Sequence, residues 1–380
     1  MALTRRHFVG ALGAAGASAI GGAPALGQSA PSGAGPAVAR RDSALTSLVK
    51  LDQNENPNPP SASVRAAITE AMEQGHRYPR NIADLADAIA KVHGVARENI
   101  LIAAGSGELL RSTVLAFVKA DRPLVAGLPT FETSTNSAKG LGLPVREIPV
   151  DRMLRLDLPA MEEAAVGGGL LFFCNPNNPT GTTWPTKDLE AMIDRLAKRS
   201  AGTTILVDEA YAHFVGSKDY WSLAKRAAVE RQLLVTRTFS KAFGLAGMRV
   251  GYAIGHADTI ATLRRTTTSG LLPVTSIAAA LAALSDEALM KKQIRENNAN
   301  RAMAAKALQD LGYTVFPSDA NFVLVDVKRK PDEFQTACRA LGVAVGRPFP
   351  GLPTHSRISI GTTEEMNRAI AVFKQVLASA

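Results

Sequence analysis

Short apolar runs bounded by Gly, Pro or Asn recur through the middle of the chain. They are Ile100–Ala103, Pro123–Ala126, Val145–Val150, Leu170–Cys174, Thr204–Val207, Leu233–Thr236 and Arg249–Ile254. Each predicts a strand, and their near-continuous apolar character predicts burial on both faces. Segments with helical spacing, such as Gly107–Lys119 and Lys187–Lys198, lie between most of them. Strands alternating with helices predict an α/β fold, a mostly parallel sheet covered by helices on both sides. From Val274 to Leu311 the pattern is helical and Ala-rich. A smaller α/β unit is predicted after it, with strands at Asn321–Val327 and Arg357–Ile360 and helices at Pro331–Leu341 and Glu364–Ala378. An early helix, Ser61–Gln74, is expected to pack on this smaller unit. No internal repeat is visible.

The first residues follow a different pattern. Thr4-Arg5-Arg6-His7-Phe8-Val9 leads into a weakly apolar Gly/Ala stretch that ends near Ile20. Ala23-Pro24-Ala25 and Ala25-Leu26-Gly27 offer small-residue cleavage sites. A charged start, a short apolar stretch and a small-residue site predict a secretory signal over residues 1–30. The Arg pair followed by Phe predicts the twin-arginine type, and hence a periplasmic or secreted protein. Residues 31–47 are predicted as linker. The predicted domains are then a large one over 75–270 and a small one from 48–74 and 271–380.

Composition narrows the classes. The 380 residues carry 43 Lys+Arg against 34 Asp+Glu, a net charge of +9, two of whose cations are Arg5 and Arg6 of the leader. Such an excess raises nucleic acid, a membrane or an anionic small molecule as partners. No helix-turn-helix or zinc motif supports nucleic acid, and outside the leader no apolar run is long enough to span a membrane. Cys174 and Cys338 are the two cysteines, too few for a disulfide framework, and no metal-binding motif is present.

The chemistry gathers where the predicted strands end, as ligand sites do in open α/β sheets. Gly105-Ser106-Gly107-Glu108 opens a helix, and free N–H groups there suit a phosphate. No P-loop is present. Asp208 ends an apolar strand, so its charge needs a partner, and a cationic ring nitrogen is one that suits. Lys241 follows Thr238 and Ser240 and precedes the uncharged Ala242-Phe243-Gly244-Leu245-Ala246-Gly247. An amine in apolar surroundings near other cations has a lowered pKa and can act as a Schiff-base nucleophile.

The motifs together resemble the class I/II aminotransferases, pyridoxal-phosphate enzymes of fold type I, and within them the histidinol-phosphate aminotransferase branch. The resemblance runs from about Leu51 to the C-terminus. It is carried by Asn54-Glu55-Asn56-Pro57, Arg77-Tyr78-Pro79, Gly105-Ser106-Gly107-Glu108, Pro129-Thr130-Phe131, Asn177-Asn178-Pro179-Thr180-Gly181, Asp208-Glu209-Ala210-Tyr211, the run from Ser240 to Arg249 and Arg357-Ile358-Ser359-Ile360-Gly361. It implies pyridoxal 5'-phosphate held on Lys241 as an internal aldimine, with Lys241 also shuttling the proton. Asp208 would pair with the pyridine N–H, and Tyr211 and Asn178 would bond the ring's 3-oxygen. Phe131 would stack on the ring. Thr238, Ser240, Arg249 and the amides around Ser106 and Gly107 would bind the phosphate. Arg357 would clamp the substrate carboxylate, and Asn321 would contact the substrate. Tyr78 would reach the phosphate of the neighbouring subunit, which implies a homodimer with shared sites.

Departures from the branch bear on the substrate. No Tyr stands in Ser43–Lys50, where the branch usually has a Pro-Tyr pair. Gly107 stands where an acid is common, and Phe131 replaces the more usual Tyr. An export signal also fits poorly with cytoplasmic histidine synthesis. The expected reaction moves an amino group from an amino acid, or an amine like histidinol phosphate, to a 2-oxo acid. Decarboxylation or elimination by the same cofactor is the alternative, and a non-catalytic cofactor sensor a more distant one.

Overall fold

The computed structural model of the protein describes residues 48–268 and 272–378. The expected signal and linker lie outside the described residues. Strand β1 (Val49–Leu51) precedes the strands of a large sheet, which are β2 (Ile100–Ala103), β3 (Leu124–Leu128), β4 (Val145–Pro149), β5 (Leu170–Cys174), β6 (Thr204–Asp208), β7 (Leu233–Thr238) and β8 (Gly251–Gly255). Their order is β2-β8-β7-β6-β5-β3-β4. Neighbours run parallel except β8, which is antiparallel to both β2 and β7.

The continuous apolar runs are explained by a sheet with two cores. Leu170, Phe172 and Cys174 point into one core with Leu206 and Leu234. Leu171 and Phe173 point into the other with Ile205, Val207, Leu233 and Val235. Side chains alternate at period two, so both faces must be apolar when helices cover both. The register sets Cys174 beside Asp208 and Asp208 beside Thr236. The polar segments that follow β5, β6 and β7 therefore emerge together at one edge.

The smaller lobe is built from both ends of the described chain. Strands β9 (Thr314–Val315), β10 (Phe322–Asp326) and β12 (His355–Ser359) form an antiparallel sheet in the order β12-β10-β9. Strand β1 pairs in parallel with β11 (Val343–Val345), so Val49 and Leu51 share a core with Val323, Val325, Phe334 and Ile358. Helices Pro331–Ala340 and Thr363–Ala378 close that core with Cys338, Met366 and Phe373.

One expectation about packing is corrected. The Ala-rich segment breaks at Asp286 into helices Val274–Ser285 and Glu287–Asp310. The early helix, Ala62–Met72, packs on the first of these, and its Val64 joins Ile277, Ala279 and Ala280 in the core of the large sheet. This pair of helices sides with the large lobe, not with the small lobe where the sequence placed it. A face of alanines lets two helices approach closely, and the apolar surface left free lies on the large sheet. Among the described residues no helix is long and apolar enough to cross a membrane. None of them cluster as three or more His, Cys, Asp or Glu able to hold a metal ion.

Candidate active site

A cavity of about 1030 Å³ opens where β5, β6 and β7 end, and the segment Asp52–Glu55 and part of the small lobe complete its wall. Asp208 is the last residue of β6 and is 2% exposed. Its Oδ1 accepts a hydrogen bond from Thr236 Oγ1 at 3.0 Å, and the Ala210 N–H also donates to it. Burial nevertheless raises its carboxyl from 3.8 to about 6. No cationic side chain forms an ion pair with it among the described residues. A buried carboxylate of this kind is costly until a cation meets it.

Lys241 lies across the cavity, two residues beyond the Phe239 that follows β7. Its Nζ donates to Asn54 O at 2.9 Å and to Gln53 O at 3.3 Å. Desolvation, then the charges of Arg357 and Arg249, lower its pKa from 10.5 to about 8. A fraction of neutral amine is therefore present near neutral pH, as a nucleophile requires. Tyr211 is buried with its hydroxyl accepting from Asn54 Nδ2 at 3.1 Å, and its ring meets Phe322 edge-on at 5.3 Å. Burial raises that phenol well above its ordinary value.

The end of the cavity at helix Ser106–Phe117 is shaped for an anion. Gly105 caps this helix at φ +84°, and a Cβ there would fall on the Arg249 guanidinium. Arg249 donates to Ala246 O at 2.9 Å and lies 3.5 Å from Ser240 Oγ. Thr238 Oγ1 accepts from the Ser240 N–H at 3.0 Å. The helix N-terminus with Ser106 and Gly107, two hydroxyls and an arginine thus face one space, which suits a phosphate.

The opposite wall carries Arg357 on β12. Its Nη1 donates to Asn178 Oδ1 at 2.7 Å and its Nη2 to Asp52 O at 2.8 Å, while Nε has no partner. The guanidinium lies 4.9 Å from the Phe349 ring centre and 5.7 Å from that of Phe322. Burial lowers its pKa to about 10. Its hydrogen-bond partners are neutral, so a carboxylate entering here would supply both the missing acceptor and the missing charge. Phe131 lines the cavity and is 36% exposed.

Two of the expected residues do not line this cavity of their own chain. Asn321 is buried and lines a smaller cavity of about 380 Å³ behind the first. Its Nδ2 donates to Asn54 O at 2.9 Å and Glu55 O at 3.3 Å, so it holds the segment that Lys241 also grips. Tyr78 is 89% exposed and does not line the cavity of its own chain. Sequence reasoning missed Glu132 and Phe349 as cavity residues, and it missed the role of Asn54; Arg347 lines the cavity beside them. Asn54 adopts φ +54°, a left-handed conformation that Asn tolerates, and its Oδ1 accepts from Ser359 Oγ at 3.0 Å. Its place within Asn-Glu-Asn-Pro was the available signal.

Over residues 46–373 the chain matches the family Aminotransferase class I and II. It is 36% identical to the histidinol-phosphate aminotransferase of Symbiobacterium thermophilum over 344 residues, which cover 89% of this chain and 93% of that protein. The histidinol-phosphate aminotransferase of Bacillus subtilis is 33% identical over 337 residues, covering 88% and 92%. Among solved structures, histidinol-phosphate aminotransferase from Sinorhizobium meliloti in complex with pyridoxal-5'-phosphate superposes with a TM-score of 0.80. That match has 28% identity and covers 87% of this chain and 90% of the other.

Proposed function

This chain belongs to the aminotransferase class I and II family, and we propose that its amino donor is an α-amino acid whose carboxylate is held by Arg357. It is a pyridoxal-phosphate-dependent aminotransferase of fold type I, in the histidinol-phosphate aminotransferase-like branch. The residues present fit that cofactor: a buried carboxylate lacking a cation, an amine with a lowered pKa and an anion cradle share one cavity. When bound, pyridoxal phosphate supplies an electron sink that lets an amino acid lose its Cα proton.

The protein's own residues do the rest. Lys241 Nζ is the point of attachment, and once released it carries the proton as general base and acid. Asp208, a buried carboxylate with no cationic side chain paired to it, would pair with the ring nitrogen and favour its protonated form. Tyr211 and Asn178 present a hydroxyl and an amide to the same space. The Ser106 and Gly107 amides, Thr238, Ser240 and Arg249 hold the phosphate, and Phe131 covers the ring. Arg357 would bind and orient the donor through its carboxylate.

The observation that carries the donor reading is the buried Arg357 guanidinium, which has neutral partners and an unpaired Nε. The test is to supply the loaded protein with 2-oxoglutarate and a panel of α-amino acids, with histidinol phosphate alongside. Glutamate should form with at least one α-amino acid; glutamate from histidinol phosphate alone would overturn the reading. Two further proposals accompany it. The enzyme works as a homodimer in which Tyr78 serves the partner's site, a reading supported by its 89% exposure. It is exported through the Arg5-Arg6 signal, which periplasmic fractionation of cells making the wild type and an Arg5→Lys/Arg6→Lys variant would test.

A further inference from the structure

Glu132 and Arg347 meet across the mouth of the active-site cavity. Glu132 follows Phe131 on the large lobe and precedes helix Thr133–Gly140. Arg347 follows β11 on the small lobe. Both line the cavity, and a Glu132 carboxylate oxygen accepts from Arg347 Nη2. The Arg347 guanidinium also lies 4.4 Å from the centre of the Phe349 ring, the ring that Arg357 approaches at 4.9 Å. The two arginines are thus neighbours around one aromatic side chain, and Arg357 feels the charges of both Arg347 and Glu132.

We propose that Glu132 is a specificity-determining residue that favours donors ending in a carboxylate over donors ending in a phosphate monoester. This rests on the reading of Arg357 as the donor's anion clamp. The pairing leaves one uncompensated cation at this end of the cavity. A carboxylate carries one negative charge and is matched by Arg357 alone. A phosphate monoester carries about 1.5 to 2 negative charges at neutral pH and needs a second cation. Arg347 is the neighbouring candidate, but to use it the phosphate must displace Glu132 and then sit beside the freed carboxylate. Like charges brought together in a partly desolvated site oppose binding. Glu132 therefore acts through Arg347, by holding it in an ion pair.

The test uses the pyridoxal-phosphate-loaded protein and two readouts. Calorimetry gives the affinity ratio of methyl phosphate to acetate. Kinetics give the ratio of kcat/KM for histidinol phosphate to that for the best α-amino acid. Glu132→Gln keeps the shape and removes the charge, and should move both ratios toward phosphate by about tenfold. Glu132→Asp should leave them within about twofold of wild type, because a carboxylate remains. Adding Arg347→Gln to Glu132→Gln should abolish the gain. Ratios that stay put in Glu132→Gln, or a gain that survives loss of Arg347, would overturn the proposal. If the calorimetric ratio moves as stated while no α-amino acid is transaminated, the donor reading falls and the role of Glu132 stands. Active enzyme with unmoved ratios has the reverse meaning.

Discussion

At the scale of single residues, Asp208 and Lys241, which both face the cavity, are held away from their ordinary pKa values in opposite directions. Asp208 is raised to about 6, so the folded protein binds its proton more tightly than the unfolded chain does. Stability therefore falls as pH rises from about 4 to 6, and the cost persists above that. Without cofactor, Asp208→Asn should be more stable than wild type by roughly 2–3 kcal/mol above pH 6, with the gap closing below pH 4. Urea unfolding across that range checks it, and pyridoxal phosphate should bind the variant more weakly. Lys241 is lowered to about 8, so the cost of its buried charge is present below pH 8 and is relieved as pH rises toward 10.5. Lys241→Ala should lose the visible absorbance of the loaded enzyme, and turnover should fall on the order of a thousandfold or more. A variant that kept both would refute the assignment of Lys241.

At the scale of elements, the anion cradle depends on the backbone as much as on side chains. Gly105 sits at φ +84° against Arg249, whereas Gly107, two residues on, has open space where a Cβ would go. Gly105→Ala should cost about 1–3 kcal/mol of backbone strain and also displace the guanidinium. Cofactor titration should then show a dissociation constant at least about tenfold higher. Gly107→Ala should be tolerated, with any change in stability within about 1 kcal/mol. The same contrast governs what the sequence revealed. Strands β2 and β5 were legible to their last residues, because a strand buried on both faces is apolar throughout and stops where polarity begins. Asp208, Lys241 and Asn178 stood out because they lie at or within four residues of the ends of such strands. Strands β1 and β11 were not, because three residues carry no readable alternation and each becomes a strand only by finding the other. The break at Asp286 was hidden by alanines that continue the helical period on both sides. The cavity that Asn321 lines was not legible, because a position just before β10 does not say which way its amide will face. Glu132 and Arg347 were unreadable as a pair, since 215 positions separate them and only the closure of the two lobes makes them neighbours.

At the scale of the whole molecule, the cavity lining is shared between lobes, and on our proposal the site is shared between subunits. If Tyr78 serves the partner's site, two inactive variants should rescue one another. Chains carrying Tyr78→Ala mixed with chains carrying Lys241→Ala should regain about a quarter of wild-type activity after subunit exchange, because half the dimers then hold one intact site. Lack of recovery, with mixed dimers demonstrated, would place Tyr78 in its own chain's site or outside catalysis. A last consequence concerns the order in which the ribosome makes the parts. Asp52 and Asn54, which receive Arg357 and Lys241, follow β1, and the strand that pairs with β1 is β11, almost three hundred positions later. Translation can finish the large sheet, phosphate cradle included, while that strap still swings free. The strand that pairs with β1 is made only in about the last tenth of the chain, so a chain cut short before Val343 lacks both that partner and Arg357 and should be inactive.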